Sequence, residues 1–171
     1  MNRERYIKLF FLMLFMASVV LAPFSQASAQ ERLMYDDVEE ALWPYMTVTD
    51  DGVFFDKDKA IADGMSEEQL LIGETVNRLN DAYGQGEMSL QLSIPIWGNW
   101  CGPGHGGGFP QDLLDQGCMQ HDGCYAEKGY FSCECDEALI AHIDRHFSEM
   151  KFFEKLVALG VKFFFTVMIC R

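Results

Sequence analysis

The stretch CMQHDGCY, Cys118–Tyr125, places a histidine and an aspartate side by side between two cysteines. At helical spacing Cys118, His121 and Tyr125 share one face, whereas Asp122 lies about 100° further round the helix. His121 therefore needs another residue to orient its ring, and Asp122 serves a neighbouring site. This pattern fits a metal cluster, a pair of disulfide anchors or a catalytic centre, and the flanking sequence distinguishes them.

Two predicted helices surround this stretch. The first covers residues 110–129, with Pro110 in its first turn and Gly129 at its end. The second, residues 133–150, carries an apolar stripe at helical spacing. Because the connection between them is short, the helices are expected to pack antiparallel. Asp136 lies on the facing stripe of the second helix and is the predicted partner of His121.

A glycine-rich loop, CGPGHGGGFPQ at residues 101–111, precedes the first helix. Its five glycines and two prolines predict irregular backbone with sharp turns. One carboxylate is too few for a calcium site, but backbone carbonyls of this loop would supply further oxygen ligands beside Asp122. The residues therefore predict a hydrolytic centre in which calcium and the His121 base face one pocket, with water as the nucleophile.

Three motifs in order carry a resemblance to the secreted phospholipase A2 family. They are NWCGPGHGGG at residues 99–108, DLLDQGCMQHDGCY at residues 112–125 and CECD at residues 133–136. Together they are highly specific, and the resemblance covers about residues 97–147. It implies a mainly α fold: a small disulfide-linked domain with two antiparallel catalytic helices and an N-terminal calcium-binding loop.

The resemblance also implies a reaction and its residues. The enzyme would hydrolyse the sn-2 ester of glycerophospholipids to lysophospholipid and free fatty acid, with His121 as the general base for water and Asp136 orienting His121. A bound Ca²⁺ would stabilise the oxyanion, and the Gly102 N–H would be a second oxyanion donor. Tyr125, and with less support Tyr130, would hydrogen-bond to Asp136. The implied calcium ligands are the Asp122 carboxylate and the backbone carbonyls of Trp100, Gly102 and Gly104.

The same resemblance implies two disulfides, Cys101–Cys118 and Cys124–Cys135, which leaves Cys133 and Cys170 to pair with each other. The sequence departs from the family at Gly117, which stands where a further cysteine often precedes the histidine helix motif. The short connection at residues 129–132 also leaves no room for the β-hairpin expected between the two helices. A pared-down, mostly helical version of the fold is therefore expected.

The chain divides into three predicted segments. Residues 1–29 have a basic start, an apolar core and small residues at Ala27 and Ala29, which predicts a signal peptide and a secreted protein, periplasmic if bacterial. An uncleaved membrane anchor is the alternative. Residues 30–96 are an N-terminal extension, interpreted as a propeptide, a lid or a small helical region. Within it residues 66–84 predict a helix with a capping box. Residues 97–171 form the expected catalytic domain.

Charge and apolar patterning suggest the partners. The chain carries a formal net charge of −13, which opposes binding to nucleic acid. The resemblance implies a phospholipid membrane or micelle interface as partner, and the negative charge predicts that zwitterionic lipid is preferred over anionic lipid. Residues 152–170 predict a helix packed on the core, or alternatively a wall of the acyl-chain channel or a lipid-contact surface. Trp97 and Trp100 flank the loop and are candidate interfacial anchors.

Two other readings compete with the enzyme. A structural zinc site would use Cys118, His121 and neighbouring cysteines, but an even cysteine count in a secreted chain favours disulfides. A catalytically inactive phospholipase A2-like protein would act as a secreted binding module, although the intact His121 and Asp136 argue against it. His142 and His146 have the spacing of a metal pair and are interpreted instead as a solvated helix face.

Overall fold

The computed structural model describes residues 37–83 and 95–168. The predicted signal peptide at residues 1–29 and Cys170 lie outside the described residues. No described helix is both long and apolar enough to cross a membrane.

The described part of the chain is mainly helical, as predicted, with one small β-hairpin. Residues 37–42 are helical and lead into a 3₁₀ turn at Trp43–Tyr45. Strands β1 (Met46–Thr49) and β2 (Gly52–Phe55) pair antiparallel, with Met46 opposite Phe55. The helices are α1 (Lys57–Ala62), α2 (Glu67–Tyr83), α3 (Leu113–Lys128), α4 (Cys133–His146) and α5 (Phe152–Met168), with a second 3₁₀ turn at Phe147–Glu149 after α4.

Helix α2 begins with the capping box that the sequence predicts. The Ser66 and Gln69 side chains each accept a hydrogen bond from the other's backbone N–H at 3.3 Å. One face of α2 packs against α5, and Gly160 lies at the contact. A Cβ at Gly160 would lie 2.6 Å from Thr75 Cβ and 2.8 Å from the Ile72 carbonyl, so this close helix contact requires a glycine. The segment before the glycine-rich loop thus packs directly on the C-terminal helix.

Helix α5 is a core element. Most of its side chains from Leu156 to Phe165 are buried, which agrees with the prediction of a helix packed on the core. Glu154 in its first turn is also buried, but its carboxylate accepts hydrogen bonds from the backbone N–H groups of Leu114 and Lys151, each at 3.0 Å. This one side chain therefore satisfies N–H groups at the starts of both α3 and α5.

Helices α3 and α4 pack antiparallel. Their contacts run in opposite directions along the chain, from the hydrogen bond between His142 and the Leu113 carbonyl to the disulfide between Cys124 and Cys135. The disulfide between Cys101 and Cys118 attaches the glycine-rich loop to α3. Both of these predicted bridges are present. Cys133 is also disulfide-bonded, and its predicted partner lies outside the described residues.

The structure gives a reason for the departure at Gly117. A Cβ there would lie 2.7 Å from the His142 ring, so the glycine leaves the space that this ring fills. His142 is buried and its Nε2 lies 2.8 Å from the Leu113 carbonyl oxygen. The expectation of a solvated helix face was therefore wrong for His142. Periodicity alone did not reveal that α3 would present a glycine opposite it.

Candidate active site

His121 and Asp136 form a buried pair between α3 and α4. The His121 Nε2 lies 2.8 Å from Asp136 Oδ1, and both residues are only 4% exposed. A carboxylate in this position accepts the Nε2–H and leaves Nδ1 as the unprotonated ring nitrogen. The helix spacing of the sequence predicted this contact, and the antiparallel packing of the two helices produces it.

Tyr125 completes the polar cluster around Asp136. Its hydroxyl donates to Asp136 Oδ1 at 2.5 Å, and its ring lies against His121 with 4.1 Å between centroids. Burial and the bond to Asp136 raise the pKa of the Tyr125 hydroxyl, so it remains a donor. Tyr130 makes no hydrogen bond to Asp136. Its half-exposed ring packs on Tyr125 at 5.4 Å instead.

Asp122 faces the glycine-rich loop, as its position on the helix predicted. It lines a pocket of about 210 Å³ together with Pro103, Gly104, Gly106 and several aromatic residues. A Cβ at Gly106 would lie 3.6 Å from Asp122 Oδ2, so the loop backbone approaches the carboxylate closely. Within the described ranges the carboxylate has neither a hydrogen-bond donor nor a basic partner. Burial raises the pKa of the Asp122 carboxyl to about 7.

The loop can reach this geometry because of its glycines. Gly102 and Gly104 have φ values of 133° and 65°, which side-chain-bearing residues rarely adopt. His105 supports the turn: its N–H donates to the Gly102 carbonyl at 3.1 Å, and its Nε2 lies 3.2 Å from the Gly98 carbonyl oxygen. The loop is therefore a defined structure rather than a loose connection.

Asp115 organises the loop from the other side, and the sequence reasoning missed it. This fully buried carboxylate accepts hydrogen bonds from the backbone N–H groups of Asn99, Trp100 and Gln111, at 2.7 to 3.0 Å. It thus ties both ends of the loop to α3. The sequence gives no local signal for this role, because Asn99 and Trp100 lie 16 and 15 positions before Asp115.

Two further side chains reach the site from other helices. The ring of Phe165 in α5 meets His121 with centroids 5.0 Å apart. Tyr83 at the end of α2 lines the pocket that contains Asp122. Neither contribution was predicted, because both come from segments outside the motifs. Only the tertiary packing of α2 on α5 brings them to the histidine helix.

The two tryptophans of the loop serve its structure. Trp97 Nε1 donates to Asp112 Oδ2 at 2.8 Å, and Trp100 Nε1 donates to the Gly108 carbonyl at 3.1 Å. Neither ring is among the exposed large hydrophobic side chains, whereas Phe109 is 92% exposed and Phe131 is 56% exposed. The role of Trp97 and Trp100 as interfacial anchors stays a prediction, and the structure favours Phe109 and Phe131 as the outward-facing aromatics.

The zinc reading is wrong in this structure. The cysteines that it requires at Cys118, Cys124 and Cys135 are consumed in the two disulfides, and Cys133 is also bridged. No group of three or more His, Cys, Asp or Glu side chains that would hold a metal occurs among the described residues. The predicted calcium ligands are of another kind, because they comprise a single carboxylate and three backbone carbonyls.

The fold and site thus define a small, mainly helical, disulfide-linked domain with a buried histidine–aspartate pair. An acidic phospholipase A2 of Austrelaps superbus is 58% identical to the chain over 38 residues, covering 22% of the chain and 24% of that protein. The acidic phospholipase A2 homolog taipoxin gamma chain of Oxyuranus scutellatus scutellatus is 56% identical over 41 residues, covering 24% of the chain and 26% of that protein. The chain is therefore related to the phospholipase A2 family.

The matched segment spans about a quarter of the length of these curated relatives. No protein-family model matches the chain, and no solved structure matches it. The relationship is thus carried by a short segment of high identity.

Proposed function

We propose that this protein is a secreted, calcium-dependent phospholipase A2 that hydrolyses the sn-2 ester of glycerophospholipids. The observation that carries the proposal is the buried hydrogen bond between His121 and Asp136, 2.8 Å long. Tyr125, which donates to Asp136, also lines the pocket that contains Asp122 and part of the glycine-rich loop. The relationship to the phospholipase A2 family supports the same conclusion.

His121 acts as the general base. Its Nε2 is engaged by Asp136, so Nδ1 is the nitrogen that takes a proton from water as the water attacks the ester carbonyl. The same proton is then available for the leaving glycerol oxygen. The Gly102 N–H is the predicted protein donor to the developing oxyanion.

Asp136 holds the base in place and stabilises its protonated form. It fixes the tautomer of His121 and balances the positive charge that appears on the imidazole during the reaction. Tyr125 donates to the same carboxylate oxygen at 2.5 Å and keeps it oriented. Phe165 covers the histidine ring and limits water around the pair.

The residues around Asp122 fit a hard cation. Its carboxylate is desolvated, lacks a basic partner in the described part of the chain, and lies against a loop whose glycines turn the backbone sharply. Oxygen ligands of this kind suit Ca²⁺. The proposed ligands are the Asp122 carboxylate and the carbonyls of Trp100, Gly102 and Gly104. Bound calcium would polarise the ester carbonyl and stabilise negative charge on its oxygen.

The proposed site has consequences for where the enzyme works. A single protein carboxylate predicts weak calcium binding, with a dissociation constant of about 10⁻⁴–10⁻³ M, which suits an extracellular setting. The strongly acidic chain would meet zwitterionic phospholipid more readily than anionic phospholipid. Faster hydrolysis of anionic vesicles at equal calcium would contradict that preference.

The experiment measures release of fatty acid from phosphatidylcholine labelled at the sn-2 position. The full oxidised protein is assayed with millimolar calcium and with chelator, alongside His121→Gln and the control His146→Gln. His146 bonds to the surface residue Glu149 and lies outside the site. Release should need calcium and fall by about 10²–10⁴-fold in His121→Gln, while His146→Gln stays near wild type.

The competing reading is an inactive binding module, and one of the relatives is itself named a homolog. A folded, oxidised wild type that releases no fatty acid, even after limited proteolysis within residues 30–96, would favour that reading. Equal loss of activity in both histidine variants would also count against His121 as the base.

A further inference from the structure

The N-terminal segment contributes a tyrosine to the pocket beside Asp122. Tyr83 is the last residue of α2, and it lines the pocket with Tyr125, Tyr130 and loop residues. It comes from the part of the chain that lies outside the phospholipase motifs. The pocket wall is therefore completed by a residue that the resemblance does not assign.

The hydroxyl of Tyr83 is available to a ligand. It makes no hydrogen bond to any described residue, whereas the Tyr125 hydroxyl in the same pocket is used by Asp136. Every fully buried side-chain nitrogen or oxygen in the described ranges has a partner. Tyr83 lines the pocket, and its hydroxyl is therefore not an unpaired atom sealed in the core.

The ring of Tyr83 is held firmly. It meets Phe131, Phe164 and Phe165 with centroid distances of 6.4, 5.9 and 5.7 Å. Phe131 adopts a left-handed φ of 63°, an uncommon conformation for a bulky residue that surrounding contacts must maintain. By contrast, the half-exposed Tyr130 has a single aromatic contact among the described residues, with Tyr125. Tyr83 is thus the better positioned of the two unbonded tyrosines.

The hydroxyl of Tyr83 is the polar group that this residue brings to the pocket, and a phenolic O–H is a hydrogen-bond donor. No lysine or arginine is among the described residues that line the pocket. An anionic group entering it would therefore find a phenolic donor instead of a cationic side chain.

We propose that the Tyr83 hydroxyl donates a hydrogen bond to the phosphate of the bound phospholipid and so positions the substrate. This inference rests on the proposed phospholipase function, and it gives α2 a direct part in substrate binding. A phosphate is the charged acceptor of the substrate, and a hydrogen bond to a charged acceptor is worth about a tenfold or larger change in binding.

The test compares wild type, Tyr83→Phe and the control Tyr45→Phe. Tyr45 packs on Phe55 and does not line the pocket. Because the Tyr83 hydroxyl has no described protein partner, its removal should leave the fold intact, which circular dichroism checks. Kinetics are measured with a monomeric short-chain phosphatidylcholine and with the matched diacylglycerol, which has the same esters and no phosphate.

Tyr83→Phe should raise KM for phosphatidylcholine by about tenfold, with kcat changed less than about twofold and with no change toward diacylglycerol. Tyr45→Phe should match wild type on both. Unchanged kinetics in Tyr83→Phe, or equal losses on both substrates, would overturn the phosphate contact.

A binding measurement separates this inference from the proposed reaction. A non-hydrolysable dialkyl ether analogue of phosphatidylcholine is titrated into each protein and followed by calorimetry. Tyr83→Phe should bind it about tenfold more weakly than wild type and Tyr45→Phe. If wild type releases no fatty acid but this difference persists, the phosphate contact stands and the catalytic proposal fails. Equal affinities would refute the contact whether or not the protein is an enzyme.

Discussion

Helix α3 carries two aspartates, Asp115 and Asp122, which lie two turns apart and have opposite surroundings. Asp115 is fully buried and accepts hydrogen bonds from three backbone N–H groups. Asp122 has no hydrogen-bond donor among the described residues, and burial raises its pKa to about 7. One carboxylate is therefore satisfied by the protein, whereas the other is desolvated without compensation. The protein itself uses the Asp115 carboxylate, whereas the Asp122 carboxylate is the one that we propose binds calcium.

The two residues act on the same loop. Asp115 binds the N–H groups of Asn99 and Trp100 at its start and of Gln111 at its end. Asp122 lies against its middle, near Gly106. Holding both ends of the loop fixes the backbone between them, which is how an irregular segment can present several carbonyls to one point. Neutralising Asp115 and neutralising Asp122 should therefore have different effects on stability and activity.

The largest effect is expected for Asp122→Asn. Removing the charge that would hold calcium should lower fatty-acid release by about 10²–10³-fold, since metal polarisation contributes several kcal/mol to such reactions. The free energy of unfolding in chelator should not decrease, because no described interaction is lost. Activity assays and urea denaturation measure the two quantities. Marked destabilisation of this variant in chelator would mean that Asp122 is structural after all.

Asp115→Asn should show the reverse pattern. The substituted amide places an NH₂ group where backbone N–H donors converge, so at least one buried donor loses its acceptor. A decrease of about 3 kcal/mol in the free energy of unfolding is expected, as measured by urea denaturation. Any loss of activity in Asp115→Asn should result from disorder that the substitution causes in the glycine-rich loop. If Asp115→Asn were as stable as wild type, the proposed contrast between Asp115 and Asp122 would be wrong.

A pair of glycine substitutions on the same helix sharpens the comparison between packed and open faces. Gly117 meets the His142 ring, whereas a Cβ at Gly123 would have nothing within 4 Å. Gly123→Ala should stabilise the protein by about 1 kcal/mol through helix propensity. Gly117→Ala gains the same helix propensity, but overpacking against the His142 ring should destabilise the protein by about 1–3 kcal/mol. Thermal denaturation of both variants measures the difference, and equal stabilities would show that the His142 ring moves aside freely.

The raised pKa of Asp122 predicts a pH dependence of stability in chelator. The Asp122 pKa is raised from 3.8 to about 7 in the folded protein, so between these values the folded state binds more protons than the unfolded state. The Asp122 contribution to stability should therefore fall as pH rises from about 4 to about 7. Because Asp122→Asn lacks this group, its stability relative to wild type should grow across that range. Parallel pH profiles for the two proteins would contradict the raised pKa.

The pKa of His142 is shifted in the opposite direction to that of Asp122, and His142 is present in both wild type and Asp122→Asn. Burial lowers its pKa below 6.5, so its contribution is present at higher pH and is lost on acidification. Comparing wild type with Asp122→Asn cancels this term, because the ring, its bond to the Leu113 carbonyl and its contact with Gly117 are shared. The difference between the profiles therefore reports on Asp122.

Local patterns were sufficient for the centre of the site. Helical spacing separated His121 from Asp122, and the short connection between α3 and α4 placed Asp136 opposite His121. The capping box at Ser66 and Gln69 was equally local. These predictions succeeded because each depends on residues within a few turns of one another, where helix geometry sets the relative directions of side chains.

The predictions that failed or were missing all depend on contacts between distant segments. No local pattern marks Asp115 as an anchor of the loop, because its backbone partners precede it by up to 16 positions. A solvated helix face was predicted for His142, because no residue near it in the sequence indicates that Gly117 lies opposite its ring. Tyr83 was missed because its place in the pocket requires α2 to pack on α5. Periodicity describes one element at a time and carries no information about which element covers it.

By itself the sequence determined the mainly helical class, the order of the motifs, the disulfide partners within them and the pairing of His121 with Asp136. The pairing of His121 with Asp136 follows from spacing along the chain, because a helix converts spacing into direction. The fold class and the disulfide partners are what the resemblance of the motifs to the phospholipase A2 family implies. Only the tertiary structure decided that Asp115 would be satisfied and Asp122 left desolvated, and that Tyr83 would line the same pocket. Burial and backbone donors come from segments far away in the chain, and folding alone brings them together.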